Sequence, residues 1–186
     1  MVPRDELDEH HNRSKLRRLA PAAVVVIGLV GVLVYGLLRP APKEVARADP
    51  EFELPLLSGN GTMSDEDLEG RVVVLNFWAS WCDPCRREMP IFERVAQEYE
   101  RRDVSIVGVA WHDDPEDARA FVRKYGITYP IVRDKDDDLG TQLGVNGLPQ
   151  TFLIDRTGAL RGAPILGEMT RAELVARIDE VVDETT

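Results

Sequence analysis

The sequence predicts an α/β domain carried behind a single membrane-crossing helix. Short β-branched apolar runs alternate with stretches of helical periodicity, the pattern of a sheet covered by helices. A charge-free apolar run fills the space between Arg18 and Arg39. The only two cysteines, Cys82 and Cys85, stand where one strand gives way to a helix.

From the N-terminus, residues 1–18 form a polar tail that ends in Arg13, Lys15, Arg17 and Arg18. Residues 19–38 are almost wholly apolar, and a helix of about twenty residues spans roughly 30 Å, the hydrocarbon thickness of a bilayer. Arg39 and Lys43 are the first charges beyond it, so the basic bias places the tail in the cytoplasm and the rest outside. Ala46-Arg47-Ala48 faintly resembles a signal-peptide cleavage site. It lies far from an apolar run that is itself longer than a usual signal core, so an uncleaved anchor is expected. Residues 39–50 are rich in Pro and Ala and read as an extended tether.

Residues 51–186 are the folded domain. They carry 15 basic and 27 acidic side chains against 8 and 6 in residues 1–50, a balance that argues against nucleic acid as a partner. A first β segment is expected near 52–57, then a Gly-rich turn. Ser64 with Asp67 opens a brief helical turn. Residues 72–77 are β-branched and apolar and predict a buried strand. A helix follows over about 83–102, with Ile91, Phe92, Val95, Ala96 and Tyr99 at helical spacing. Pro84 is harmless in its first turn, whereas Pro90 should kink it. Val104 to Ala110 predicts a second buried strand. Asp114 as cap, Pro115 and Gly126 bound a third element, a helix to about Tyr125. Residues 130–132 are a short strand and Asp136 to Leu143 a short helix. Thr151–Asp155 and Ala159–Gly162 read as a hairpin about Arg156-Thr157-Gly158. Thr170 with Glu173 caps a last helix that places Leu174, Val175, Ile178 and Val181 on one face.

Trp81-Cys82-Asp83-Pro84-Cys85 therefore sits at the carboxyl end of a strand and the start of a helix, where open α/β sheets place their sites. Two sulfurs so spaced can exchange disulfides: one thiolate attacks a partner's disulfide and the other displaces the partner. The helix N-terminus favours the thiolate of Cys82, the expected nucleophile, with Cys85 one turn deeper as the resolving thiol. A zinc site needs further Cys or His ligands, and His10, His11 and His112 are scattered. A purely structural disulfide would close a very short loop and stabilise little. Trp81 is placed to cover the site. Asp83 sets a negative charge beside the sulfurs, which raises a thiol pKa and disfavours a strongly oxidising pair. Glu88 follows Cys85 by three residues, on the same side of the helix, where a partly buried carboxylate can manage the resolving thiol's proton.

The segment from Phe77 to Cys85 resembles a thioredoxin-fold active site. With Phe52-Glu53-Leu54-Pro55, Asp67-Leu68-Glu69-Gly70, Arg86-Arg87-Glu88-Met89-Pro90, Gly144-Val145-Asn146-Gly147-Leu148-Pro149 and Thr151-Phe152-Leu153-Ile154-Asp155, the chain from about residue 51 resembles the TlpA/ResA/CcmG (DsbE) group of membrane-anchored thiol–disulfide oxidoreductases. That resemblance implies a thioredoxin-like fold with a central β-α insertion. It implies a cis-proline loop at Leu148-Pro149 that faces the cysteines and receives the client, an acid–base role for Glu88, and redox tuning by Asp83 and Pro84. Thioredoxin has a buried Asp in the strand before the motif; here that position is Asn76, which does not titrate, so Glu88 is the carboxylate left to manage protons.

The resemblance further implies no cofactor beyond the redox-active disulfide and no metal. The domain would be extracytoplasmic (periplasmic), fed with electrons by a CcdA- or DsbD-like membrane protein. Its client would be apocytochrome c or another extracytoplasmic thiol protein. A disulfide-forming oxidase and a non-catalytic, membrane-tethered apocytochrome chaperone are the alternatives. A peroxiredoxin shares the early Phe-x-Leu-Pro element, but its isolated peroxidatic cysteine is absent. His112-Asp113-Asp114 and the Asp134–Asp138 run look superficially like metal or acid–base clusters. Asp114 is sufficiently explained as a helix cap, and the others are expected to be solvated turns.

Overall fold

In the computed structural model, residues 49–184 are described; the tail expected at 1–18, the apolar span at 19–38 and nearly all of the 39–50 tether lie outside them. Among the described residues no helix is long and apolar enough to cross a membrane.

β3 (Val72–Trp78) is the axis of the domain, and all seven of its residues are buried. Its side chains alternate between two cores, as a strand covered on both faces requires. Val72, Val74 and Trp78 face Met89, Phe92 and Val95 of helix α1 (Asp83–Tyr99). Val73, Leu75 and Phe77 face the opposite way, with Leu139 and Leu143 of α3 (Asp138–Leu143) and with Phe52 and Leu54. β4 (Val104–Trp111) runs parallel to β3, and β5 (Ile131–Asp134) parallel to β4. β6 (Gln150–Ile154) pairs antiparallel to the other edge of β3, and β7 (Leu160–Leu166) antiparallel to β6. The sheet order is β5-β4-β3-β6-β7. Helix α2 (Pro115–Tyr125) joins β4 to β5, and α4 (Arg171–Glu184) closes the chain. This is the thioredoxin-like α/β arrangement, a mixed sheet with helices.

Several ends differ from expectation for visible reasons. β1 (Glu53–Pro55) pairs with a strand not foreseen, β2 (Thr62–Ser64), across the Gly-rich turn. Asp67 still accepts the Ser64 N–H at 2.8 Å, at the head of the single turn Glu66–Leu68. α1 runs on through Pro90 but is α-helical only to Tyr99. One tighter turn follows, and Asp103 takes a left-handed conformation at φ 54°. β7 extends well past Gly162, to Leu166, because pairing continues as far as Gln150. In α4, Val182 is buried while Val175 is only partly so. The Thr170–Glu173 capping box forms as expected, with the Glu173 carboxylate accepting from the Thr170 N–H and hydroxyl at 2.8 and 2.6 Å.

In the acidic run at 134–138, Lys135, Asp136 and Asp138 are exposed as expected of a solvated turn, but Asp134 and Asp137 are not free in solvent. Asp134 is buried and accepts the N–H groups of Asp138 and Gly140 at 3.0 and 2.7 Å, so it caps α3. Asp137, left-handed at φ 62°, accepts the Trp111 indole N–H.

Candidate active site

Cys82 is the N-cap of α1 and is bonded to Cys85 in a disulfide. Its backbone is extended (φ −81°, ψ 106°), while Asp83 begins the helix and Pro84 occupies the first turn, where no N–H is needed. The Cys85 N–H points at Cys82 Sγ, 3.3 Å away. In the reduced state that N–H and the helix N-terminus both favour a thiolate on Cys82. Cys82 is the more accessible of the two sulfur-bearing residues, at 4% exposure against 0% for Cys85. Both are nonetheless buried in the oxidised state.

Trp81 stands out from the surface, 57% exposed, with its indole N–H donated to the His112 carbonyl at 3.0 Å. Between it and α2 lies an open groove walled by Phe121, Lys124 and Tyr125. The Leu148–Pro149 peptide is cis. Leu148 packs against both core clusters, one of which contains both cysteines. The Pro149 carbonyl accepts the Gly167 N–H at 2.9 Å, which ties the loop to the end of β7. Leu166, the residue before Gly167, is 66% exposed.

Asp83 does not act as a bare negative charge. Arg86 pairs with it at 3.2 Å and also donates Nε and Nη2 to the Ser80 carbonyl. The like-charge effect expected of Asp83 on the thiolates is correspondingly reduced.

Glu88 is more deeply placed than expected, at 0% exposure. Oε1 accepts Asn76 Nδ2 at 2.9 Å, and Oε2 accepts the Met169 N–H at 3.1 Å. Burial dominates and pushes its carboxyl up from 4.5 to about 7, against the two hydrogen bonds that favour the charged form. Asn76 Nδ2 also donates to Thr151 Oγ1 at 3.1 Å, so one amide joins β3, β6 and α1. Such a carboxyl changes charge near neutral pH, one helical turn from the resolving sulfur. Among the described residues, no group of three or more His, Cys, Asp or Glu is arranged to hold a metal ion.

Trp81, Cys82, Asp83, Pro84 and Cys85 lie together at the head of α1, with Glu88 one helical turn further along it, while Leu148, before the cis peptide to Pro149, packs on the core cluster that includes both cysteines. The structure adds residues that sequence reasoning missed. The Met169 N–H binds Glu88 directly, Thr151 accepts from the Asn76 amide that also binds Glu88, and Glu168 pairs with Arg87 of α1 at 2.6 Å. Asp113, expected in solvent, accepts the Ser80 N–H and hydroxyl at 2.6 and 2.7 Å. These contacts join segments far apart in the chain, and no local pattern marks them.

Residues 45–163 match the AhpC/TSA family. The chain is 34% identical over 165 residues to the thiol:disulfide interchange protein DsbE of Pseudomonas fluorescens, covering 84% of this chain and 90% of that protein. It is 32% identical over 172 residues to the thiol-disulfide oxidoreductase ResA of Geobacillus thermodenitrificans, covering 90% and 98%. Among solved structures it is similar to a secreted Mycobacterium tuberculosis disulfide oxidoreductase homologous to E. coli DsbE. That likeness has a TM-score of 0.61 at 26% identity, over 69% of this chain and 95% of the other.

Proposed function

The chain belongs to the AhpC/TSA family and is a thiol–disulfide oxidoreductase of the DsbE/ResA type; we propose that it works as a reductant on the outer face of a cell membrane. In this reading residues 19–38 anchor it, 1–18 remain in the cytoplasm and 39–50 tether the domain. The client is apocytochrome c, whose Cys-x-x-Cys-His must be a dithiol before haem attachment, and electrons arrive from a CcdA- or DsbD-like membrane protein. The observation that carries the reading is the Cys82–Cys85 disulfide at the head of α1, supported by the cis Leu148-Pro149 peptide and by a neutral-range carboxyl one helical turn further along α1.

The reaction starts from the reduced pair. The Cys82 thiolate attacks one sulfur of the client disulfide and expels the other as a thiolate. Cys85, losing its proton to the Glu88 carboxylate, attacks Cys82 Sγ. The intramolecular disulfide re-forms and the second client sulfur leaves, so two electrons have passed to the client. A carboxyl with a pKa of about 7 is matched to this transfer at neutral pH. The client strand lies along the Leu148-Pro149 loop in β-augmentation fashion, between the exposed apolar side chains Trp81 and Leu166.

The test is a peptide carrying an oxidised Cys-x-x-Cys-His segment, mixed with the reduced protein. Stoichiometric appearance of peptide thiols with the wild type, and none with Cys82→Ser, is expected. Oxidation of the dithiol peptide instead favours the oxidase alternative. In cells, loss of covalent haem on deletion, restored by added thiol reductant but not by Cys82→Ser, is expected. Restoration by Cys82→Ser favours the chaperone alternative.

A further inference from the structure

Asp114 caps α2, but the two residues before it turn back onto the cysteine-bearing turn. His112, left-handed at φ 49°, stacks its ring on Trp111 with centroids 3.9 Å apart, and its carbonyl holds the Trp81 indole. A left-handed residue with a β-carbon is uncommon and is sustained here by contacts on both sides. Asp113 places Oδ2 on the Ser80 N–H at 2.6 Å and Oδ1 on its hydroxyl at 2.7 Å. The Ser80 carbonyl is taken in turn by Arg86 Nε and Nη2 at 2.9 and 2.8 Å. Every polar group of Ser80 is therefore engaged, from the β4–α2 loop on one side and from α1 on the other. The next bonds lead to the sulfur. The Cys82 N–H donates to the Ala79 carbonyl at 3.1 Å, and the Arg86 N–H to the Cys82 carbonyl at 3.2 Å.

While the disulfide is closed, the covalent bond keeps the two sulfurs together. Once it has opened and Cys82 is joined to a client, only the non-covalent framework of the turn holds Cys82 Sγ in line with Cys85. We infer that Asp113 is a positioning residue for the resolving step: by gripping Ser80 it fixes the 79–82 turn so that Cys85 can reach Cys82 Sγ in the mixed disulfide. In that step the Cys85 thiolate forms the Cys82–Cys85 bond, the bond from Cys82 to the client sulfur breaks, and the client leaves as a thiolate that takes a proton from water. The attack by Cys82 on an incoming disulfide is bimolecular and depends far less on this alignment. The inference rests on exchange chemistry at the cysteine pair.

The full chain, reduced, is mixed with glutathione disulfide, acid-quenched at intervals and weighed by mass spectrometry. Formation and decay of the glutathione adduct on Cys82 are then fitted separately. Since a misplacement near 1 Å can cost about a hundredfold in rate, Asp113→Ala is expected to slow decay at least about tenfold and to change formation by less than about threefold. Asp113→Asn keeps one acceptor for Ser80 and restores part of the loss. Ser80→Ala keeps the N–H bond, loses only the hydroxyl, and slows decay to an intermediate degree. These two milder variants decide the matter if Asp113→Ala does not fold. Equal slowing of both steps, or unchanged decay in Asp113→Asn and Ser80→Ala, overturns the inference. A wild type that remains a dithiol in excess glutathione disulfide, with neither adduct nor intramolecular disulfide formed, would refute exchange at this pair, a separate failure.

Discussion

Replacing Glu88 by Gln should abolish a pH dependence of stability that the buried carboxyl creates. In the fold this carboxyl keeps its proton up to about pH 7, while in the unfolded chain it releases it near 4.5. The raised value means that its stabilising contribution is fully present below the unfolded pKa and is lost as pH rises through the folded one. Working the linkage relation through these two values gives a loss of roughly 2–3 kcal/mol between about pH 5 and pH 8 in the wild type. Glu88→Gln has no such proton to lose. It carries a different, pH-independent cost. Glu88 accepts from two N–H donors, Asn76 and Met169, and a Gln amide offers only one oxygen, so one donor loses its partner at a cost of roughly 1–3 kcal/mol. The variant is therefore less stable than wild type at pH 5 and close to it, or better, at pH 8. Urea unfolding of the oxidised protein at both pH values measures this. Two stability curves that run parallel across that range would refute the assignment of a neutral-range carboxyl to Glu88.

Other outcomes follow from the same geometry. Cys85→Ser should leave Cys82 able to attack but unable to release, so a covalent adduct with an oxidised Cys-x-x-Cys-His peptide should accumulate on a non-reducing gel. Gly108→Ala should cost about 1–3 kcal/mol in thermal unfolding, because the added methyl would meet Ile131 Cδ1 and come to 3.0 Å from Trp78 Nε1. Asp155 is held below its ordinary carboxyl range: burial opposes its charge, but bonds from Thr157, Ala159 and Arg161 outweigh that. Its contribution is present above the unfolded value of 3.8 and vanishes as pH falls through the folded one. Asp155→Asn should thus lose about 2 kcal/mol at neutral pH and show a shallower acid limb in denaturant titrations.

What could be read from the sequence was what local chemistry determines. The β-branched run at 72–77 and the two cysteines after it locate strand, turn and helix, because a buried strand and a helix N-terminus each leave a mark within ten residues. Asp114-Pro115 and Thr170 with Glu173 mark helix starts for the same reason, and both caps are found as expected. Leu148-Pro149 was legible through resemblance, not through any property of the dipeptide. The pairing of β2 with β1 and the continuation of β7 to Leu166 depend on partners across the sheet, and both were missed. The depth of Glu88 was underestimated because its cover comes from Met169, eighty-one residues away. Aspartates misled most. Asp113, Asp134 and Asp137 look like solvated loop acids, yet each accepts hydrogen bonds from the framework. A carboxylate that organises backbone amides is chemically indistinguishable in sequence from one that faces water.

The direction of electron flow rests on the energy of the Cys82–Cys85 couple. Equilibrating the protein with a graded series of reduced and oxidised glutathione, then counting free thiols, measures its reduction potential directly. A reductant of the kind described should settle at about −200 mV or lower, in the range between glutaredoxins and thioredoxin. A potential near −120 mV, that of a strong disulfide donor, would contradict it.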